Sequence, residues 1–199
     1  MKLGDELRQL LVLTLKDPQA AARRLLAEGV PSQAIWLGLL LVSVMTLILL
    51  RLSLLAVGEG QALNGVGLAF RHPVVGTIIQ AGSIMIIAAA MTFVGRVFGG
   101  KGQFMGALLL IVWMEFVLTA FAGIQLLALL ALPILGMILS LLSIPLFIWL
   151  MVSFAAALHG FKNLLLVLLG MIGAFVALAL GLAIVLATLG IDPNLLIQV

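Results

Sequence analysis

The side chains that could carry acid–base, nucleophilic or metal chemistry are few in this chain of 199 residues. There is no Cys, which excludes disulfides, thiolate metal sites and cysteine nucleophiles, and there are two His. Catalytic sites need paired acids, a metal triad or an activated nucleophile at one place, and no such set shares one depth here. We therefore predict a protein that is not an enzyme, with no catalytic residue, no bound metal and no cofactor. The acidic side chains are Asp5, Glu6, Asp17, Glu28, Glu59, Glu115 and Asp192.

Glu115 is the most informative of these residues because it is the only charge in an apolar stretch of 55 residues, Phe104 to Leu158. At about 1.5 Å of rise per helical residue it lies roughly 16 Å from the start of that stretch, close to the middle of a bilayer. A bare carboxylate is costly at that depth, so Glu115 must be neutral, paired or in contact with water.

Three interpretations of Glu115 stay open. The first is a neutral carboxyl group hydrogen-bonded to a hydroxyl of a neighbouring span, at Ser43, Thr46, Ser83 or Ser143. The second is an ion pair with Arg51, which lies roughly 9 Å farther toward the outside and has a long side chain. The third is a site that handles protons or a cation, the default expectation for an intramembrane carboxylate.

The composition requires that these residues be held in a membrane. Hydrophobic residues make up 65% of the chain and charged residues 9%, and the mean hydropathy is +1.40. A soluble domain of this size cannot bury so much apolar surface, and about a quarter of an ordinary soluble sequence is charged. The net charge of +3 is small and scattered, which argues against a nucleic acid partner. The lipid bilayer is the partner that the composition implies.

Five apolar segments are long enough to cross the bilayer as helices. The turn between the third and fourth falls near residues 123–125 or near 132–133, and we prefer the second, where Pro133 implies a helix end. The predicted fold class is therefore all-α, a polytopic integral membrane protein with one bundle over residues 34–199. The segments are residues 35–57, 74–98, 104–131, 133–158 and 164–189.

Residues 1–33 form a separate amphipathic segment that holds nine of the seventeen charged side chains. Leucines at positions 3, 7, 10 and 11 share one helical face. Asp17 and Pro18 have the form of the N-cap and first residue of a second helix, which Gly29 and Pro31 would end. The segment is interpreted as a helical lid on the membrane surface or, alternatively, as an element that binds a partner or senses lipid.

The distribution of basic residues predicts the orientation of the bundle. With five spans, eight basic residues fall on the side of the amino terminus and two, Arg51 and Arg71, on the other. We therefore expect the amino terminus in the cytoplasm and the carboxyl terminus in the periplasm, in the inner membrane of a bacterium.

Small residues at four-residue spacing mark one face of the fifth span. Gly173, Ala177 and Gly181 would let another helix approach closely, because helices in lipid associate through such faces. The approaching helix would belong either to the same bundle or to a second copy of the chain.

A second glycine-rich feature is the run Gly99, Gly100, Lys101 and Gly102, which we predict to be a hinge at the cytoplasmic face. Its spacing does not fit a phosphate-binding loop. His159 is expected at the same face and, with no metal-ligand partner nearby in the sequence, is expected to be solvated.

Four motifs together resemble the Yip-type membrane domain (the Ypt/Rab-interacting protein family) in its short bacterial form, and the resemblance extends over most of the chain. The third span departs from the family, which often has an aromatic residue followed by Pro where this chain has Trp113-Met114-Glu115-Phe116-Val117. The motifs are the Asp17-Pro18 helix, Gly99-Gly100-Lys101-Gly102-Gln103-Phe104, Ile144-Pro145-Leu146-Phe147-Ile148-Trp149, and Ala157-Leu158-His159-Gly160-Phe161-Lys162-Asn163.

The resemblance implies a five-span protein without enzymatic activity and without catalytic residues. Eukaryotic members of the family are linked to vesicle trafficking and small GTPases, whereas the bacterial members have no settled role. The first hypothesis is therefore a scaffold, or a bundle that binds lipid, a membrane protein partner or a second copy of itself. The alternative is a small transporter or proton-linked permease that uses Glu115.

Overall fold

The structure, a computed structural model, describes residues 3–57 and 72–188. Within these ranges the chain forms seven helices and no strand, which confirms the all-α prediction. The helices are α1 (Leu3–Lys16), α2 (Pro18–Ala27), α3 (Ser32–Val57), α4 (Pro73–Val97), α5 (Phe104–Ala131), α6 (Pro133–His159) and α7 (Leu164–Thr188).

Helices α3 to α7 are each apolar and long enough to cross a membrane, so the chain is an integral membrane protein. Each contains 25 to 28 residues. That is about 37 to 42 Å of helix, more than the ~30 Å hydrocarbon core, so the helix ends reach the headgroup layers. The observed bounds differ from the predicted segments by at most three residues. Glu59 and Arg71 of the first link, and Gly190 and Asp192, lie outside the described residues.

Helix α5 lies at the centre of the bundle and packs against α3, α4 and α6. Helix α7 is peripheral, because it packs mainly on α6. Its Phe175 is 74% exposed, so most of its surface faces away from the other helices. Residues of α5 with no exposed surface are Ala107, Leu108, Leu110, Ile111 and Met114.

A single residue, Leu132, connects α5 to α6. Its backbone is extended, with φ −144° and ψ 90°, and Pro133 begins the next helix. Gly136 then lies so close to Leu129 that a Cβ at position 136 would overlap the Leu129 backbone. The preferred position of this turn, residues 132–133, is thereby confirmed.

Pro145 lies inside α6, where it deprives the Leu141 carbonyl of its helical partner. The sequence suggests that nearby hydroxyl groups compensate for this loss. The structure corrects that expectation, because Ser140 donates to the Met137 carbonyl at 2.7 Å and Ser143 donates to the Ser140 carbonyl at 2.5 Å.

Helices α1 and α2 form an amino-terminal cap, residues 3–27, on one end of the bundle. Helix α2 begins as predicted, because the Asp17 carboxylate accepts the Ala20 N–H at 2.9 Å and Pro18 is the first helical residue. The helix lies against α6 and α5 and buries Ala21, Ala22 and Leu25.

Helix α1 is connected to α5 by a partly buried hydrogen bond. The indole Nε1–H of Trp113 donates to the hydroxyl oxygen of Thr14 at 3.0 Å, and that hydroxyl donates to the Leu10 carbonyl at 2.8 Å. Thr14 has no exposed surface. The cap is therefore packed against the bundle, and its interpretation as a lid on the membrane surface stays a prediction.

Candidate functional site

His159, the last residue of α6, joins three parts of the chain. It is 6% exposed. Its Nδ1 accepts the backbone N–H of Gly102 at 3.1 Å, and its Nε2 lies 3.1 Å from the Met91 carbonyl oxygen. Because a carbonyl only accepts and an N–H only donates, these partners assign the neutral ring with its hydrogen on Nε2. One imidazole therefore connects α6 to α4 and to the turn that precedes α5.

Glycines surround this imidazole because a side chain would not fit beside it. A Cβ placed on Gly95, Gly100 or Gly102 would overlap ring atoms of His159. The turn itself is closed by the Gly100 N–H, which donates to the Gly95 carbonyl at 2.8 Å, and by Gly99 at φ +84°. Residues 99–102 are thus a packed turn with defined hydrogen bonds, and a hinge motion at this turn stays a prediction.

The expectation of a solvated His159 is wrong. Helix α6 ends directly after it, at Gly160 with φ +76°, and the Phe161 N–H donates to the Ala156 carbonyl at 2.9 Å. The Phe161 ring stacks on the imidazole with 5.5 Å between centroids. A signal was present in the sequence, because glycines gathered at the end of one span indicate the close approach of a large group from another.

Three exposed cations stand around this site. The Nε–H of Arg96 donates to the Gly102 carbonyl at 3.0 Å. Lys101 directly follows Gly100, and Lys162 directly follows Phe161. The two turns that carry them therefore meet at His159.

The amino-terminal cap lies at this same end of the bundle. A Cβ placed on Gly106, in the first turn of α5, would lie 3.1 Å from side-chain atoms of both Leu26 and Leu158. We call this the cap end, defined by the cap, the α4–α5 turn at residues 98–103 and the α6–α7 turn at residues 160–163.

Glu115 is half-buried in α5, eleven residues after the first residue of the helix and two residues after Trp113. Within residues 3–57 and 72–188 it makes no hydrogen bond, and the ion pair found there joins Arg24 and Glu28. Arg51 is half-buried in α3 and is not free, but the structure does not pair it with Glu115. The second interpretation of Glu115 therefore gains no support.

The hydroxyl groups expected near Glu115 are bonded elsewhere. Ser43 and Ser83 donate to carbonyls of their own helices at 2.7 and 2.9 Å, as Ser143 does. The hydroxyls of Thr46 and Thr119 pair with each other at 2.8 Å and connect α3 to α5. The first interpretation therefore gains no support either, and the third stays a hypothesis.

An open groove of about 350 Å³ lies between α5 and α6. Glu115 is on the same face of α5 as the residues of α5 that line it, one turn closer to the cap end. The amide Nε2 of Gln125 donates to the Leu139 carbonyl at 2.7 Å beside it. The lining residues are Leu118, Ala122, Gln125, Ser143, Ile144 and Phe147.

The small-residue face of α7 is not used by the described part of the bundle. Gly173, Ala177 and Gly181 are exposed, and no atom lies within 4 Å of a Cβ placed on either glycine. The interpretation of this face as packing within one bundle therefore gains no support from the described residues. The interpretation as a contact between two copies stays open.

The outer face of α1 is a second exposed surface, on the cap. It presents charged and polar side chains around an open groove with a volume of about 540 Å³. In the described ranges, no group of three or more His, Cys, Asp or Glu side chains could hold a metal ion. The residues of this face are Asp5, Arg8, Gln9, Val12, Leu13 and Lys16.

Comparison with known proteins gives one match. A family model described as the Yip1 domain matches residues 12–186, from the middle of α1 almost to the end of α7. Neither the curated proteins nor the solved structures contain a significant match.

Proposed function

The chain belongs to the Yip1 domain family, and we propose that it is a non-enzymatic membrane scaffold that binds a membrane protein partner or lipid at its cap end. The observation that carries this proposal is the packing of the cap. Because Thr14 and Leu25 are buried against the bundle, the outer face of α1 is held in one position relative to the membrane. A fixed surface of mixed charge suits recognition of another protein, because little order has to be gained on binding.

The orientation we propose follows the basic residues, with the cap end in the cytoplasm of a bacterium and the carboxyl terminus in the periplasm. Arg96 in the last turn of α4, Lys101 in the α4–α5 turn and Lys162 in the α6–α7 turn all lie at the cap end. The chain has no Cys, so single Cys residues introduced at Gln103 and at Gln198 report orientation directly. Labelling of position 103 from the outside of intact cells would contradict the proposal.

The partner surface is tested by photo-crosslinking in the native membrane. A photoreactive residue at Gln9, which is exposed on α1, should capture one defined membrane protein, and Arg8→Glu with Lys16→Glu should abolish that product. The matched control is the same probe at Arg23, exposed on α2. An adduct that is identical at both positions, or one that survives the charge reversal, rejects the surface.

Removal of residues 1–30 is not a suitable test. The deletion would expose the indole of Trp113 and the small residues of α5 and α6 that α2 covers. Loss of binding would then report an altered bundle, so substitutions on the exposed face are the sharper experiment.

A second candidate function is transport of protons or a small cation through Glu115. The observation that favours it is that this half-buried carboxyl group has no hydrogen-bond partner among the described residues. Glu115→Gln should then change proton flux or its pH response in proteoliposomes without changing the melting temperature. Unchanged flux in an active preparation would remove this candidate.

A second copy of the chain is the remaining proposed partner, through the face of Gly173, Ala177 and Gly181. Gly173→Leu should weaken such a dimer, because small residues allow the close approach that the larger side chain blocks. Single-molecule photobleaching in liposomes measures the result, and an unchanged monomer fraction contradicts it.

A further inference from the structure

The cap end carries a group of cations that form no ion pair with the described residues. These are Arg96, Lys101 and Lys162, and all three are exposed. The turn that holds Lys101 and the turn that holds Lys162 are joined through His159, and Arg96 donates to the first of them at the Gly102 carbonyl, so the three cations belong to one region of the surface.

Arg96 is oriented for a ligand and not merely exposed. Its Nε–H donates to the Gly102 carbonyl at 3.0 Å, and this hydrogen bond fixes the plane of the guanidinium group. The N–H donors on its two Nη atoms make no hydrogen bond within residues 3–57 and 72–188. A planar guanidinium with free donors matches the paired oxygens of a phosphate group.

The surroundings of Arg96 indicate where that phosphate lies. Val97 and Phe98 follow it directly and are 67% and 59% exposed, and Phe98 lies beside Gly170 of α7. Since α4 is about 37 Å long, its end lies in the headgroup layer, with these apolar side chains toward the acyl chains. A lipid has a charged headgroup above apolar acyl chains. Cations above exposed apolar residues at a helix end therefore match both parts of an anionic lipid.

We propose that Arg96, Lys101 and Lys162 form a binding site for the headgroup phosphate of an anionic phospholipid, at the α4–α5 and α6–α7 turns. This site deepens the lipid-binding part of the proposed function and rests on it. It is separate from the α1 surface, because no residue is shared. The crosslinking experiment above therefore succeeds or fails independently of it.

Native mass spectrometry of the full chain with added phosphatidylglycerol or phosphatidylcholine tests the site. The double variant Lys101→Gln/Lys162→Gln should lower retention of phosphatidylglycerol by about 30-fold, since each cation near the surface contributes about fivefold. Retention of phosphatidylcholine should not change. The matched control Arg23→Gln/Arg24→Gln removes the same charge from the cap end and should retain phosphatidylglycerol as the parent chain does.

Arg96→Lys provides a second variant that keeps the charge and removes the planar fork. It should also lower phosphatidylglycerol retention, with a melting temperature that shows a folded chain. Equal losses in the site and control double variants would show general electrostatic attraction and overturn the proposal, as would no loss in any variant. Displacement of the lipid by millimolar inorganic phosphate would identify a site for free phosphate and would likewise overturn it.

Discussion

At the cap end, α4, α6 and the turn before α5 meet at one imidazole, whereas farther along the bundle an open groove lies between α5 and α6. The buried polar groups at His159 are joined by hydrogen bonds of 3.0 to 3.1 Å that cross between chain segments. Farther from the cap end, the hydroxyl groups of Ser140 and Ser143 in α6 donate to carbonyls of their own helix. Interhelical hydrogen bonds and close glycine contacts supply association energy in lipid, where apolar surface alone does not.

The comparison teaches that the hydrogen bonds between chain segments are unevenly distributed along the bundle. The end that carries the proposed binding surfaces is the more tightly connected one. The stretch beyond Glu115 contains the open groove and is joined across helices by the Thr46–Thr119 and Gln125–Leu139 hydrogen bonds, a sparser set that a conformational change would have to break. The following substitutions are ordered from the largest expected effect on this contrast to the smallest.

Replacing His159 should damage the cap end most. His159→Ala removes both hydrogen bonds and leaves a space between the glycines, so we expect a loss of about 2–4 kcal/mol in the free energy of unfolding. Titration with a denaturing detergent measures this loss. The matched control is His72→Ala, because His72 is exposed before α4 and makes no capping hydrogen bond. Similar losses at both positions would contradict the connected cap end.

Filling the space beside the imidazole should be nearly as harmful. Gly95→Ala places a Cβ on ring atoms of His159 and should cost about 1–3 kcal/mol, measured in the same titration. Gly82→Ala, in the same helix with no atom within 4 Å, should be neutral or slightly stabilising. If the clash is the cause, Gly95→Ala should cost much less in a chain that already carries His159→Ala. Additive losses in the double variant would refute this explanation.

Weakening the connection between the cap and the bundle should have a smaller and more local effect. Trp113→Phe retains a large ring but removes the donor to Thr14, with an expected cost of about 1 kcal/mol. Limited proteolysis should then cut faster within residues 3–27. Trp149→Phe is the control, because Trp149 is 39% exposed. Equal cleavage rates in the two variants would show that the hydrogen bond does not hold the cap.

A substitution in the opposite half should matter least. Gln125→Leu removes the hydrogen bond to the Leu139 carbonyl, and interhelical hydrogen bonds of this kind average about 0.6 kcal/mol in membranes. Gln33→Leu, exposed at the start of α3, serves as the control in the same unfolding titration. A loss at Gln125 as large as that of His159→Ala would remove the contrast between the two halves.

Local signals predicted most of the fold, because spans, caps and turns are encoded by neighbouring residues. Hydropathy located all five spans, Asp17 and Pro18 the start of α2, and Pro133 the start of α6. The Yip-type resemblance is likewise confirmed by the match over residues 12–186.

The candidate sites depend on contacts between distant residues, and these the sequence did not reveal. His159 lies 57 positions from Gly102, and Thr14 lies 99 positions from Trp113. Hydrophobic periodicity states which residues face inward but not which partner they meet. The same reason explains why the sequence offered hydroxyl groups as possible partners of Glu115. In the structure Ser43 donates to a carbonyl of its own helix, and the Thr46 hydroxyl pairs with another hydroxyl.

The connection through Leu132 bears on how the protein is made. With one apolar residue between α5 and α6, insertion of this pair carries no charged or hydrated loop across the bilayer. Glu115 is the only Asp, Glu, Lys or Arg in the two helices. The pair is therefore suited to enter the membrane as one hairpin, with α6 following α5 out of the ribosome. The last residue of that hairpin is His159, so the cap end can close as soon as the second helix is complete.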